Sequence, residues 1–473
     1  MTHDNRNKKQ IFETLPPEWD QALLPEIQDE IKRLNRKIVI LDDDPTGTQT
    51  VHDLPVLTTW SVQTLKQELL NPGPGFFILT NSRSLDRQKA CVLGLEIGKN
   101  LQKASELAGI KPIVISRSDS TLRGHFPHEV DEVARAMGDE DLPYLIFPFF
   151  PEGGRFTIDD IHYVAEGDDL VPAGQTPYAK DAAFGFTRSN LKEWVAEKTE
   201  GRIRADTVTS ISLSDIRRGG PERVCDLLSG VKKGTACIVN AVSYGDVEVF
   251  VTGLIKAGEK GKQFLYRTAA AFVRVMAGVT PKGEFLSREE LVSDSPSGGL
   301  FVVGSYVPKT TTQLAVLKEE TKIVPIEIDV EKLLAQGGAA LEIDRVTDLV
   351  NGGLEQGKDV VIFTSRALVA GSDAKTSLNI GQVVSDSLIR IVRGLAHQPR
   401  YLLAKGGITS SDVATKGLGV KRAMVTGQVL PGVPVWKLGT DSRYPGMSYI
   451  IFPGNVGDDN ALAAIQKKLV QGG

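Results

Sequence analysis

Three carboxylates stand side by side at Asp42, Asp43 and Asp44 in the run DDDPTGT (42–48), directly after the apolar run IVIL (38–41). Adjacent carboxylates repel one another, so the cluster favours a cation or the hydroxyls of a polar ligand as its partner. A second use stays open, with Asp44 capping a turn entered at Pro45. Two more polar runs follow apolar ones in the same way. TNSRSL (80–85) offers Arg83, a fork-shaped donor for carboxylate or phosphate, with Ser82 and Ser84. SRSDSTLRG (116–124) offers Arg117, Ser118, Asp119, Ser120, Thr121 and Arg123. In an open α/β sheet ligands bind at the carboxyl ends of strands. Three strand ends carrying acids, guanidinium groups and hydroxyls therefore predict one pocket for a polyhydroxylated acid. Helix capping by Ser118 or Ser120 is compatible with that use. FPFFPEGGRFTIDDIHYV (147–164) adds Glu152, Arg155, Asp159 and His162 as pocket walls, although a lone His is more often structural than a base. His125 and His128 lack a third ligand nearby, which argues against zinc.

The second half carries glycine turns after apolar runs. GSYVPKTTTQL (304–314) follows LFVV, KGGITSSD (405–412) follows YLLA, and PGNVGDD (453–459) follows SYIIF. Backbone N–H groups at such turns, beside a helix start, suit a phosphate. Gly–Gly after a strand is also a common way to turn a chain. There is no GxxxxGK[ST] and no GxGxxG after a strand, which excludes a P-loop and disfavours a dinucleotide fold.

These groups need elements to hold them. Short β-rich runs at 38–41, 56–59, 76–80, 113–116 and 144–150 alternate with helical stretches, notably 86–108, and a second series places strands at 300–303, 359–364, 401–404 and 448–452. The alternation predicts an α/β chain of two domains, each with a mostly parallel sheet flanked by helices, with a cleft between them. Residues 11–37 place Leu23, Leu24, Ile27, Ile31 and Leu34 at helical spacing. Residues 151–190 are rich in Gly, Asp and Pro and read as a long functional loop. The expected division is an N-terminal helical extension over 1–37, a first α/β domain over 38–285 and a second over 286–473.

Composition narrows the partners. The 473 residues carry 55 Lys+Arg against 59 Asp+Glu, a net charge of −4, which excludes nucleic-acid binding driven by bulk charge. Hydrophobic residues make up 41%, as in an ordinary globular chain. Three cysteines, without metal spacing, and an N-terminus lacking an apolar core point to the cytoplasm, with no membrane span. Glycine, at 47 residues, exceeds the roughly 33 of average usage, an excess suited to tight turns and close ligand approach.

Taken in order, DDDPTG, NSRS, SRSDSTLRG, GGR (153–155), GS (304–305), KGGITS, LPGVPVW (430–436) and GNVGD resemble the signature of the four-carbon acid sugar kinase family, from about Ile38 to Ala464. The resemblance implies an ATP-dependent kinase that phosphorylates a hydroxyl of a sugar acid such as threonate, erythronate or 3-oxo-tetronate. It implies substrate contact by Asp43 or Asp44, Arg83, Arg117, Ser118, Asp119 and Ser120. It implies ATP contact by Ser305, by Gly406, Gly407, Ile408, Thr409 and Ser410, and by Gly454, Asn455 and Gly457. The chain departs from the family pattern at Arg117, Ile408, Gln428–Val429 and Phe452–Pro453. On this reading Arg83 and Arg117 grip the substrate carboxylate, and Asp119 and Ser120 its hydroxyls. Asp458 or Asp459 serves as base or Mg²⁺ ligand, with plain helix capping as the alternative for both. A small-molecule acid and Mg-ATP are the expected partners, with a homo-oligomer possible. Two other readings stay open: a sugar-acid-binding regulatory protein with a decayed nucleotide site, and a Mg²⁺-dependent phosphatase or aldolase using Asp42–Asp44.

Overall fold

The apolar runs that follow a period of neither 2 nor 3.6 are strands covered on both faces. In the computed structural model, which describes residues 6–34, 36–305, 307–365, 374–454 and 456–470, Ile38–Asp42 and Gly75–Leu79 are buried along their whole length. Such strands belong to parallel sheets shielded by helices. The chain forms two compact units, Met1–Val51 with Thr59–Pro281, and His52–Thr58 with Lys282–Gly473. The division falls at 281/282, and the short segment at 52–58 counts with the second unit.

The first unit holds seven parallel strands in the order Thr209–Ile211, Ala236–Val239, Tyr144–Phe147, Leu265–Thr268, Ile113–Arg117, Ile38–Asp42 and Gly75–Leu79. Their carboxyl ends therefore align the 42–48, 80–85, 116–124 and 147–155 segments along one edge. The helix Arg87–Ala108 starts where Asp86 accepts the Lys89 N–H and ends at Gly109, whose φ of +68° is a left-handed cap. Its Gly98 admits the helix His128–Met137, since a Cβ there would lie 2.6 Å from Ala136 Cβ. The helical signal at 11–37 is carried by the helix Leu24–Leu34, which a separate helix, Lys8–Thr14, precedes. Glu248 accepts from the Leu23 and Leu24 N–H groups at 3.1 and 3.2 Å, which ties this helix into the first unit.

Residues 151–190 differ from the expected loop. Arg155–Ile158, Ile161–Glu166 and Asp169–Pro172 form an antiparallel sheet completed by Arg6–Asn7. Its first hairpin turns on Asp159 and Asp160, at φ +50° and +67°, the primed-turn geometry that fits twisted strands. Strands this short, between turn residues, leave too little periodicity to register in the sequence.

The second unit has five parallel strands in the order Ser448–Phe452, Leu402–Lys405, Leu300–Val303, Val360–Thr364 and Val324–Ile328. An antiparallel hairpin, Arg422–Leu430 with Val433–Leu438, extends it beside Ser448–Phe452, and Pro55–Leu57 pairs with the outer hairpin strand. Among the described residues no helix is long and apolar enough to cross a membrane.

Candidate functional site

At the carboxyl end of Ile38–Asp42 the backbone turns sharply because Asp44 accepts the Thr46 N–H at 2.8 Å and caps the short 3₁₀ turn Pro45–Thr48. Gly47 lies against Asp42, where a Cβ would fall 2.2 Å from both carboxylate oxygens. The three carboxylates are divided between two arginines. Arg117 Nη1 lies 3.1 Å from Asp42 Oδ1 and 3.5 Å from Asp43 Oδ1. Arg83 Nη2 lies 2.5 Å from Asp44 Oδ2, and its Nη1 lies 3.3 Å from Asp119 Oδ2. Arg123 Nε reaches the same Asp119 oxygen at 2.7 Å. The cations that an acidic cluster calls for are thus supplied by the chain itself. Among the described residues no group of three or more His, Cys, Asp or Glu is placed to hold a metal ion.

The arginines expected to grip a substrate carboxylate are accordingly engaged with Asp42, Asp43, Asp44 and Asp119. One acceptor is left over: Asp43 Oδ2 is buried without a hydrogen-bond partner among the described residues. It faces Gly124, where a Cβ would lie 3.4 Å away. Burial raises the Asp43 carboxyl above its ordinary range despite Arg83 and Arg117. Burial likewise carries Asp42 up to about 7 against the pull of Arg117. For Asp44 and Asp119 burial acts the same way but loses, since Arg83, helped by Arg123 at Asp119, holds both below the usual range. A buried carboxylate with a raised proton affinity and an open acceptor suits a ligand hydroxyl.

Around this core the 116–124 loop is pinned from below. Ser118 N–H donates to Thr268 O at 2.9 Å, and its hydroxyl pairs with that of Ser116 at 3.1 Å, so Ser118 does not cap a helix. Nor does Ser120, because the next helix begins after Pro127. His162 Nε2 donates to Ser120 O at 2.8 Å while Nδ1 meets the Thr157 hydroxyl at 3.0 Å. Burial pushes His162 down to about 3, which makes it a neutral strut. His125 Nε2 lies against the carbonyls of Ser82 and Leu85. Sequence reading missed Arg267, fully buried, whose Nη2 donates to Asp119 O and Arg123 O at 2.8 and 3.1 Å. Its signal was an arginine directly after the apolar run FLY (264–266).

Glu129 was also missed. It accepts from Ser82 at 2.8 Å and Ser116 at 3.3 Å, and it lines a cavity of about 300 Å³ beside Ile97, Val130 and Val133. Burial, with Asp43 nearby, raises it to about 7. The folded state therefore holds this proton more tightly than the unfolded chain. Its contribution is favourable in acid and is lost as pH climbs from the unfolded value to about 7. Glu129→Gln is expected to raise unfolding free energy at pH 8 by up to about 3 kcal/mol and to change little at pH 5. Urea denaturation at both pH values tests this, and equal effects at the two would contradict it.

In the second unit three loops meet. A Cβ on Gly304 would lie 2.3 Å from Thr409 Oγ1, one on Gly406 3.1 Å from Ser305 Cβ, and one on Gly454 3.5 Å from Ser305 Oγ. Gly406, at φ +111°, opens the helix Gly407–Asp412. Gly407, Ile408 and Thr409 are its first three residues, whose N–H groups have no partner within the helix. Ser410 is instead tied inward, its N–H to Gly406 O and its hydroxyl to Ala404 O, both at 2.8 Å. Ile408 is exposed.

The carbonyls of the 453–458 turn are claimed from behind. Lys405 donates to Pro453 O, Thr310 to Gly454 O, Gln313 to Val456 O and Asp458 O, and Lys309 to Gly457 O, at 2.7–3.3 Å. The N–H groups of Gly454, Val456 and Gly457 donate to no described residue. Carbonyls turned inward and amides left over make a cradle for an anion, which fits a nucleotide phosphate. Asn455 lies outside the described residues. Asp458 and Asp459 are exposed, and Asp458 Oδ1 accepts the Asn460 N–H at 3.1 Å just before the helix Ala461–Val470. Asp458 is thus a local cap in this structure. Lys405 is fully buried, its Nζ 3.7 Å from the Phe452 ring centre, and burial with Lys309 nearby lowers it to about 7.

Residues 38–276 match the model of a sugar-binding N-terminal domain and residues 300–462 that of a nucleotide-binding C-terminal domain. The chain belongs to the four-carbon acid sugar kinase family. It is 25% identical over 412 residues to the D-erythronate kinase of Heliobacterium modesticaldum, covering 84% of this chain and 87% of that one. A Salmonella typhimurium protein provisionally described as a tRNA synthase superposes with a TM-score of 0.67 at 17% identity, over 92% of this chain and all of its own. A Haemophilus influenzae protein gives 0.63 at 17% identity, over 91% of this chain and all of its own. These two likenesses show the fold alone. The Asp–Arg cluster lies within the residues matched by the sugar-binding model and the glycine loops within those matched by the nucleotide-binding model.

Proposed function

We propose that the protein is an ATP-dependent kinase that phosphorylates a hydroxyl of a four-carbon, or closely related, sugar acid. The observation that carries this reading is the set of N–H groups of Gly454, Val456, Gly457 and residues 407–409, around Ser305, that donate to no described residue, a cradle suited to a polyphosphate. Family membership and the similarity to a D-erythronate kinase support it. Mg-ATP, when bound, supplies the phosphoryl group and the divalent charge that offsets its oxygens.

The chain's own groups do the rest. Asp43 Oδ2 accepts from a substrate hydroxyl, and Asp119 and Ser120 orient neighbouring ones. Arg83 and Arg117 hold the carboxylates of Asp42, Asp43, Asp44 and Asp119 in fixed positions. Glycine-loop amides and the Ser305 hydroxyl hold the phosphates. Asp458 or Asp459 offers an exposed carboxylate beside them for Mg²⁺ or for a proton.

The expected result is ADP release in a coupled assay with Mg-ATP and one or more C4 sugar acids, together with thermal stabilisation by ATP alone. Binding of an acid without ADP formation would favour the regulatory alternative. Failure of ATP to bind would sink the kinase reading. Unchanged turnover in Asp458→Asn or Asp459→Asn would remove that residue from the mechanism.

A further inference from the structure

A sugar acid brings a carboxylate, and the two arginines best placed by sequence to receive it are buried and paired with the chain's own acids. We propose that the substrate carboxylate is received by Arg123 and Arg155 about the ring of Tyr178, which makes the segment at 173–181 the element that selects acids over neutral polyols. This deepens the sugar-acid reading above and rests on it.

Arg123 leaves the 116–124 loop and Arg155 opens the strand Arg155–Ile158, yet both converge on one side chain. Their Cζ atoms lie 5.1 and 5.7 Å from the Tyr178 ring centre. Tyr178 stands on the short 3₁₀ turn Pro177–Lys180 and is half-buried. The carboxylates facing these cations are few. Asp119 takes Arg123 Nε but is shared with Arg83, and Asp181 Oδ2 stands 3.5 Å from Arg123 Nη1. Arg155 has no carboxylate partner among the described residues. Its Nη1 donates to Gly153 O, its Nη2 reaches the Tyr178 hydroxyl at 3.5 Å, and its Nε is buried without a partner.

Two guanidinium groups therefore share one ring, and Arg155 brings to it a charge with no carboxylate partner among the described residues and an unused Nε donor. A planar carboxylate matches that geometry, and charge-assisted hydrogen bonds to it are the strong kind. The Arg123 side chain keeps 28% of its surface exposed, so it can be reached. Strand order also fixes polarity. Arg155 follows Tyr144–Phe147, on one side of Ile113–Arg117, whereas Asp43 follows Ile38–Asp42 on the other. The acid end of the substrate lies towards Arg155 and its hydroxyls towards Asp43, with Asp119 between.

The test compares the full chain with Arg155→Met and Tyr178→Phe, using erythronate and threonate against the neutral polyol erythritol. With Mg-ATP, Arg155→Met is expected to lower kcat/KM for the acid roughly tenfold to hundredfold, mostly through KM, while turnover of erythritol changes little. Tyr178→Phe should give a smaller loss in the same direction. Equal losses on acid and polyol would overturn the proposal. Thermal shift with erythronate and threonate, without nucleotide, keeps this separate from the kinase reading. The native chain should be stabilised by one of these acids and not by erythritol, and Arg155→Met should lose that response. An acid response retained in Arg155→Met, or absent from the native chain, refutes the assignment whatever the ADP assay gives.

Discussion

Arg83→Met is expected to lower unfolding free energy by about 3–5 kcal/mol at pH 8, the range for removing one partner from a buried ion pair. Arg83 is 18% exposed and lies within ion-pair reach of Asp43, Asp44 and Asp119. Methionine fills much of the volume, so the loss is electrostatic. Burial already works against all three carboxylates, and Arg83 is a principal cation opposing it. Without it Asp44 and Asp119, now held low, gain affinity for protons in the folded state. A carboxyl whose folded-state pKa rises above the unfolded one destabilises increasingly as pH climbs between the two. The deficit should therefore be smaller at pH 5 than at pH 8. Arg83→Lys keeps the charge without the fork and should fall between. Urea titrations at the two pH values decide it. A deficit below about 1 kcal/mol, or one that ignores pH, would mean that the cluster is solvated.

How much of this was legible beforehand depended on length of signal. The strand-end positions of Asp42–Asp44, Arg83 and Arg117 could be read because short, mostly apolar runs precede them and parallel strands present their carboxyl ends to ligands. Who pairs with whom could not. Arg117 meets Asp42 because Ile113–Arg117 and Ile38–Asp42 are neighbours in register, a fact of sheet order that no local pattern carries. Arg267 stayed hidden for a related reason: Leu265–Thr268 lies between two other strands, and a fully buried arginine contradicts the usual reading of its residue type. The hairpin Arg422–Leu430 with Val433–Leu438 was visible only as the PGVPVW string, and the segments at 155–172 only as a run of turn residues. In the second unit the glycine positions were readable, whereas Lys309, Thr310 and Gln313 were not, because they act from a helix face on carbonyls nearly 150 positions later.

Gly406→Ala tests whether those glycine positions are needed for backbone geometry or merely turn the chain. Gly406 sits at φ +111°, where an L side chain is strained, and the new Cβ would stand 3.1 Å from Ser305 Cβ. Neither atom has a flexible end that can swing aside. The residue is tied on both sides, its N–H to Phe452 O and its carbonyl to Ser410 N, each at 2.8 Å. Relief must therefore displace Ser305 or the start of Gly407–Asp412, which are two walls of the proposed phosphate cradle. Strain on the order of 1–3 kcal/mol placed there corresponds to a loss of roughly tenfold to hundredfold in ADP affinity. Binding of a sugar acid, whose proposed contacts lie in the first unit, should not change. Gly446→Ala is the control, since Gly446 has φ +75° but open space around its Cβ position, so it should lower stability and leave ADP affinity alone. Calorimetric titration of ADP into both variants separates the effects. If Gly406→Ala bound ADP within twofold of the native protein, the 406–410 turn would be only a chain reversal, and the nucleotide would have to be sought elsewhere in the second unit.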